Sequence, residues 1–98
     1  MIFSRMEFLS RTQLDREILD ICIAEDWLVP GGAGPETEFS EADIARAVLI
    51  HDLMQGMGVN AEGVGVILHL LDQMHGLRQA MAAVLQAKHR LLKPPDAE

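Results

Sequence analysis

Two carboxylates and an isoleucine, Glu17, Asp20 and Ile21, recur at three-to-four spacing within residues 15–30, DREILDICIAEDWLVP. In a helix that spacing places them on one face, and Asp15 at the start adds a further contact. Negative groups set among apolar surface suit a grip on a basic partner. The charge steers and selects, while the apolar contact makes desolvation favourable. The outward positions read as Asp20, Ile21 and Cys22 in succession, although helix rotation is not fixed by sequence, so Ile21 and Cys22 suit a core equally well. Carboxylates in a first helical turn also favour the helix dipole by about 0.3–1 kcal/mol, an ordinary role that competes with the binding one.

The elements that must hold this face are legible from caps and periodicity. Ser4-Arg5-Met6-Glu7 has the form of a capping box and opens a short helix with Phe8 and Leu9 inward, ending near Arg11 or Thr12. Asp15 is the expected N-cap of a second helix running to about Glu25, with Leu19 and Ile23 on one face and Trp27-Leu28 closing it. Two short helices joined by a tight turn make a helix-turn-helix. Residues 29–39, VPGGAGPETEF, form a turn-rich connection that predicts a two-stranded wing, Leu28-Val29 on one arm and Glu38-Phe39 on the other. The acids at its base, Glu36, Glu38 and Glu41, form a second candidate surface. Ser40-Glu41-Ala42-Asp43 reads as a second capping box, followed by an apolar stripe of Ile44, Ala47 or Val48, Ile50 or His51, and Met54. That helix is expected to stop at Gly56-Met57-Gly58, and Asn60 to cap a last helix from about Ala61 to Leu92.

The last helix changes character along its length. Val64, Ile67, Leu68, Leu71 and Met74 are expected to cover the helix-turn-helix. Leu70, Met74, Leu77, Met81, Val84, Lys88 and Leu91 follow the 4-3-4-3 spacing of a coiled-coil seam. No other segment of the chain remains to cover that seam, so the expected partner is a second copy, parallel or antiparallel. The predicted dimer interface is therefore Leu70, Met74, Leu77, Met81, Val84 and Leu91, with Lys88 weakening it. Gly76 costs about 1 kcal/mol relative to Ala in such a helix and offers a place for a bend. Pro94-Pro95 ends the helix and residues 96–98 are expected to fray.

Length and charge set the class. Ninety-eight residues suit one small domain, read as a helix-turn-helix and wing over residues 1–58 and a helical dimerisation segment over 60–92. The net charge is −7 and unevenly placed. Residues 1–72 hold thirteen acids against Arg5, Arg11, Arg16 and Arg46, while residues 73–95 carry Arg78, Lys88, Arg90 and Lys93 without an acid. An acidic body favours basic partners and disfavours nucleic acid. The longest nearly apolar run, residues 63–71, is interrupted by His69 and falls far short of the ~20 residues that cross a bilayer. MIFSRMEF has no signal-peptide pattern, and the one cysteine, Cys22, suits a reducing cytoplasm.

The order helix-turn-helix, wing, FSEADIARAVLIHDLMQGMGVN and long helix resembles the MerR-type winged-helix family. The match is clearest over residues 39–64, in the aromatic-Ser-Glu-x-Asp entry, Leu49-Ile50, Leu53, Gly58 and Asn60-x-Glu62. More narrowly, Met6-Glu7-Phe8-Leu9, Trp27-Leu28-Val29-Pro30, Gly58-Val59-Asn60 and the block VILHLLDQMHGLR over residues 66–78 resemble the CbpM-type chaperone modulators. These are truncated relatives of MerR proteins. The resemblance implies a dimer that binds the J-domain of a DnaJ-like co-chaperone of the CbpA type and inhibits it, by occupying the basic helix with which J-domains dock. The partner-binding residues are then Asp15, Glu17, Asp20 and Ile21. DNA-reading MerR relatives usually carry Arg and an aromatic where this chain has Asp20 and Ile21, which removes a phosphate contact and places a like charge beside the backbone. A MerR-like DNA-binding transcription regulator is the alternative reading.

Enzymatic and metal chemistry find little support. His51, His69, His75 and His89 lack the close Cys, Asp or second-His spacing of a zinc site. The glycine loop lacks the Lys-Ser/Thr pair of a phosphate cradle, and no Ser-His-Asp or Cys-His set has recognisable spacing. The expected protein is mainly α and non-enzymatic, without cofactor or metal.

Overall fold

Two serine caps set the frame. The computed structural model describes residues 1–32 and 36–92, so the tip of the connection, Lys93, Pro94-Pro95 and the expected frayed end lie outside the described residues. Ser4 Oγ accepts from the Glu7 backbone N–H at 3.2 Å, and Glu7 Oε1 accepts from the Ser4 N–H at 2.9 Å. This closed box starts α1 (Arg5–Thr12). Ser40 and Asp43 repeat the device, with N–H to carboxylate at 2.9 Å and N–H to hydroxyl at 3.2 Å, and start α3 (Glu41–His51). Each box satisfies orphan donors that an uncapped helix leaves to water.

The Glu7 carboxyl lies below its ordinary value of 4.5, because the Ser4 N–H and hydroxyl hydrogen-bond its charged form and Arg11 adds a favourable charge. A depressed carboxylate stabilises the fold above its unfolded pKa, and that contribution is lost as pH falls through the folded value. Ser4→Ala removes the N-cap of α1 and is expected to lower stability by about 0.5–2 kcal/mol, the usual cost of losing such a cap. The difference from the parent should shrink as pH falls below 4.5. Urea titrations at several pH values check both parts.

Between α1 and α2 (Arg16–Ala24) the turn is built around a buried threonine. Thr12 Oγ1 donates to the Phe8 carbonyl at 2.9 Å and accepts from the Leu14 N–H at 3.4 Å. Gln13 takes the left-handed conformation, φ 62°, that ends α1. Asp15 stands at the N-cap of α2 with extended backbone, yet its side chain makes no capping hydrogen bond.

The wing differs from the sequence expectation. Phe39–Ser40 forms a strand, β2, but its partner is β1 (Ile2–Phe3) at the start of the chain, antiparallel, with Ile2 opposite Ser40 and Phe3 opposite Phe39. Leu28-Val29 is not an arm. Leu28 is drawn into the core, its N–H bonded to the Cys22 carbonyl, and Pro30 has no N–H to offer a ladder. The first bridge on that side is Gly31 to Glu38, with bonds of 3.0 and 2.8 Å.

The chain divides into two compact units, residues 1–66 and residues 67 onward. In the first, α1 packs on α3, and Phe8 stacks on Phe39 with ring centroids 4.1 Å apart and planes 20° apart. Leu19, Cys22, Leu28, Ala47, Ile50 and Val64 complete a buried core. Along α3 and the winding that follows it the inward series runs Ala47, Ile50, Leu53; Val48 is exposed, and Met54 is half-buried at the edge. Helical winding continues past His51 as a π segment, Asp52–Gly56, in which the Met57 N–H reaches the Asp52 carbonyl at 3.1 Å. Gly58, φ 70°, then turns the chain out of the helix. The Asn60 carboxamide accepts from the Gly63 N–H at 2.8 Å and begins α4 (Ala61–Leu92), as its sequence predicts.

In the second unit Leu68 is buried and Ile67 and Leu71 are half-buried. Met74, expected to help cover the core, is exposed, as is every residue from Asp72 to Leu92. The helix runs without interruption through Gly76.

Candidate functional site

The exposed face of α2 is set by the residues on its other side. Leu19 and Cys22 are fully buried and Ile18 and Ile23 half-buried, which leaves Arg16, Glu17, Asp20, Ile21 and Ala24 facing water. Cys22 is thus not an outward residue, because the core stripe of α2 runs through it and Leu19. Ile21, by contrast, is 40% exposed. Asp15, Glu17, Asp20 and Ile21 lie together on the exposed surface at the start and middle of α2.

Its electrostatics are more balanced than the spacing suggests. Asp20 Oδ1 pairs with the Arg5 guanidinium of α1 at 2.8 Å, with side chains 67% and 35% exposed. Arg16 shares the face and makes no ion pair among the described residues. Glu17 is likewise without one, and is therefore an unpaired charge one turn from the exposed apolar Ile21. Spacing along the chain does not reveal the Arg5–Asp20 pair, since its members are fifteen positions apart on different helices. The other cations of the first unit are also occupied: Arg11 lies over the Phe3 ring, 4.8 Å from its centroid, and Arg46 Nε donates to the Trp27 carbonyl.

The acidic wing base is split. Glu38 is bridged through its backbone to Gly31, and Glu41 lies 4.0 Å from the N-terminal ammonium. Among the described residues no group of three His, Cys, Asp or Glu is placed to hold a metal ion. No described helix is long and apolar enough to cross a membrane.

Burial pushes the Cys22 thiol up from 9.0 to about 11, so it is protonated at neutral pH and shielded from reagents. We expect native protein at pH 8 to resist iodoacetamide and to react at once in denaturant, read by mass spectrometry. Because the folded pKa is raised, the native state binds this proton more tightly than the unfolded chain. Stability should fall as pH rises from about 9 to about 11.

On the second unit the predicted seam is an open apolar strip. Leu70, Met74, Leu77, Met81, Val84 and Leu91 are 57, 43, 70, 63, 65 and 85% exposed, and Leu85 and Leu92 flank it.

Two helices joined by a left-handed turn, a small two-stranded element, a capped third helix and a long C-terminal helix define a mainly α winged helix-turn-helix. A family model described as MerR HTH family regulatory protein matches residues 3–86, and the chain belongs to that family. No curated protein and no solved structure matches it.

Proposed function

We propose that the protein is a non-enzymatic chaperone modulator, similar to the CbpM type, that binds the J-domain of a DnaJ-like co-chaperone of the CbpA type and inhibits it. The observation that carries this reading is the exposed face of α2, where Glu17 and Ile21 stand free and Asp20 has already taken up Arg5. A basic helix laid on that face would meet Glu17 directly and compete with Arg5 for Asp20, while Ile21 supplies the contact that excludes water. Inhibition needs no chemistry: occupying the basic helix denies it to the DnaK-type partner. In this proposal the protein works in the cytoplasm as a homodimer joined along the α4 strip, without metal or cofactor.

The test is a titration of purified J-domain co-chaperone, with ATP hydrolysis by its DnaK-type partner as a second readout. The wild-type protein should bind and suppress stimulation. Glu17→Lys should weaken binding at least about tenfold, since breaking a close charge pair at an interface costs about 2–5 kcal/mol. Unchanged binding by Glu17→Lys would remove α2 as the docking face, and failure of the wild-type protein to bind would remove the function. One feature favours the second reading, a MerR-like DNA regulator: Arg16 is exposed on the same face. That reading requires duplex binding with a steep loss between low and high salt.

A further inference from the structure

A cavity of about 290 Å³ opens beside the exposed face of α2, between the turn into that helix and the π-wound end of α3. Its apolar walls are Leu14, Ile18 and Met54, and its polar groups are Gln13, Asp15, Gln55 and His51, whose Nδ1 faces the Asp52 carboxylate at 3.8 Å. We propose that this cavity receives a lysine side chain of the protein's basic partner, an inference that rests on the function proposed above.

Three features point to an alkylammonium. Asp15 holds the N-cap position of α2 without using its carboxylate on the helix, since no capping hydrogen bond is made. The charge is therefore available to a guest rather than spent on the local backbone. On the opposite wall, Met54 and Gln55 belong to the last helical turn before Gly58, where the negative end of a helix favours a cation. The α2 N-terminus acts against a cation, but with about half a unit charge against the full charge of Asp15. Finally, the leucine, isoleucine and methionine suit the four-carbon stem of lysine, and the two glutamine carbonyls can accept from its ammonium. An anionic guest would meet Asp15, and a purely apolar one would leave that carboxylate and two carboxamides desolvated. The space lies near the lower end of cavities that hold small groups, roughly 300–1,000 Å³.

The experiment uses the full chain, labelled with nitrogen-15, and two probes of matched stem: Nα-acetyl-lysine methylamide and Nα-acetyl-norleucine methylamide. Lysine should shift the amides of residues 13–18 and 51–55 as one saturable set, at least about tenfold more tightly than norleucine. Asp15→Asn, which keeps a good N-cap residue, should abolish that preference, and Met54→Trp should fill the space and exclude both probes. Equal binding of the two probes, or lysine shifts spread over the acidic wing base, would overturn the cavity's assignment whatever the J-domain does. In the partner arm, Met54→Trp with an unchanged melting temperature should weaken J-domain binding at least about tenfold. Undiminished J-domain binding by that variant overturns the assignment to the partner's lysine. If the wild-type protein selects the lysine probe but does not bind a J-domain, the proposed function fails while the alkylammonium site stands.

Discussion

Phe39→Ala should cost the first unit a large part of its stability. Phe39 and Phe8 are both 0% exposed and stacked at 4.1 Å, so truncation removes a large buried surface and also orphans one face of Phe8. Replacing a buried Phe by Ala costs about 3–5 kcal/mol, against the roughly 5–15 kcal/mol that holds a typical domain together. For a unit this small, each kcal/mol moves the melting temperature by about 4–8 °C, so the loss should be at least roughly 12 °C. The position is unusually sensitive because Phe39 also belongs to β2, and its backbone pairs with Phe3. Collapse of the site would then free the first residues of the chain as well. Thermal melts by circular dichroism give the answer, and a drop under about 4 °C would mean that other residues carry the core. Phe39→Leu should recover most of the stability but not the ring stacking, about 0.5–1.5 kcal/mol in a double-mutant cycle with Phe8→Leu.

The second large effect is expected on α4. Leu77→Asp with Met81→Asp should convert the proposed homodimer into a monomer. In one chain these side chains are 70% and 63% exposed, and burying such a side chain contributes about 1.5–3 kcal/mol. In the proposed homodimer symmetry would place each substitution twice in the interface, with unpaired carboxylates where apolar side chains would pack. Sedimentation equilibrium should show the parent as a dimer and the variant as a monomer at the same concentration. Lys88→Leu should act in the opposite direction, because a lysine at a seam position weakens a coiled coil. A parent protein that is monomeric at every accessible concentration would overturn this account of the strip, and J-domain binding could still be measured on that monomer.

Much of the fold can be read along the chain because its decisive signals are local. Both capping boxes span three residues, and both close as their sequences predict. The start of α4 follows from Asn60 in the same way. What escapes prediction is non-local. Ile2-Phe3 is too short to announce a strand, and its partner is far away in sequence. The wing arm expected at Leu28-Val29 does not form, because alternating apolar residues cannot reveal that Leu28 is needed in the core. Nor does anything in DLMQG mark the π winding. For the candidate site, spacing places Glu17, Asp20 and Ile21 on one face but cannot fix its rotation, so Cys22 reads as outward although it lies at the centre of the core. The Arg5–Asp20 pair and the cavity beside Asp15 need α1 and α3 to be in position before either can be seen.

The chain carries one tryptophan and no tyrosine, which gives the placement of Trp27 a practical result. The residue is 7% exposed, its backbone N–H is bonded to the Cys22 carbonyl at 2.8 Å, and its indole nitrogen lies 3.6 Å from where a Cβ on Gly65 would stand. Ultraviolet emission from the whole protein therefore arises at a single indole, wedged between the end of α2 and the opening turns of α4. A red shift reports that this wedge has loosened. A ligand resting on the outer face of α2 can bind in the dark.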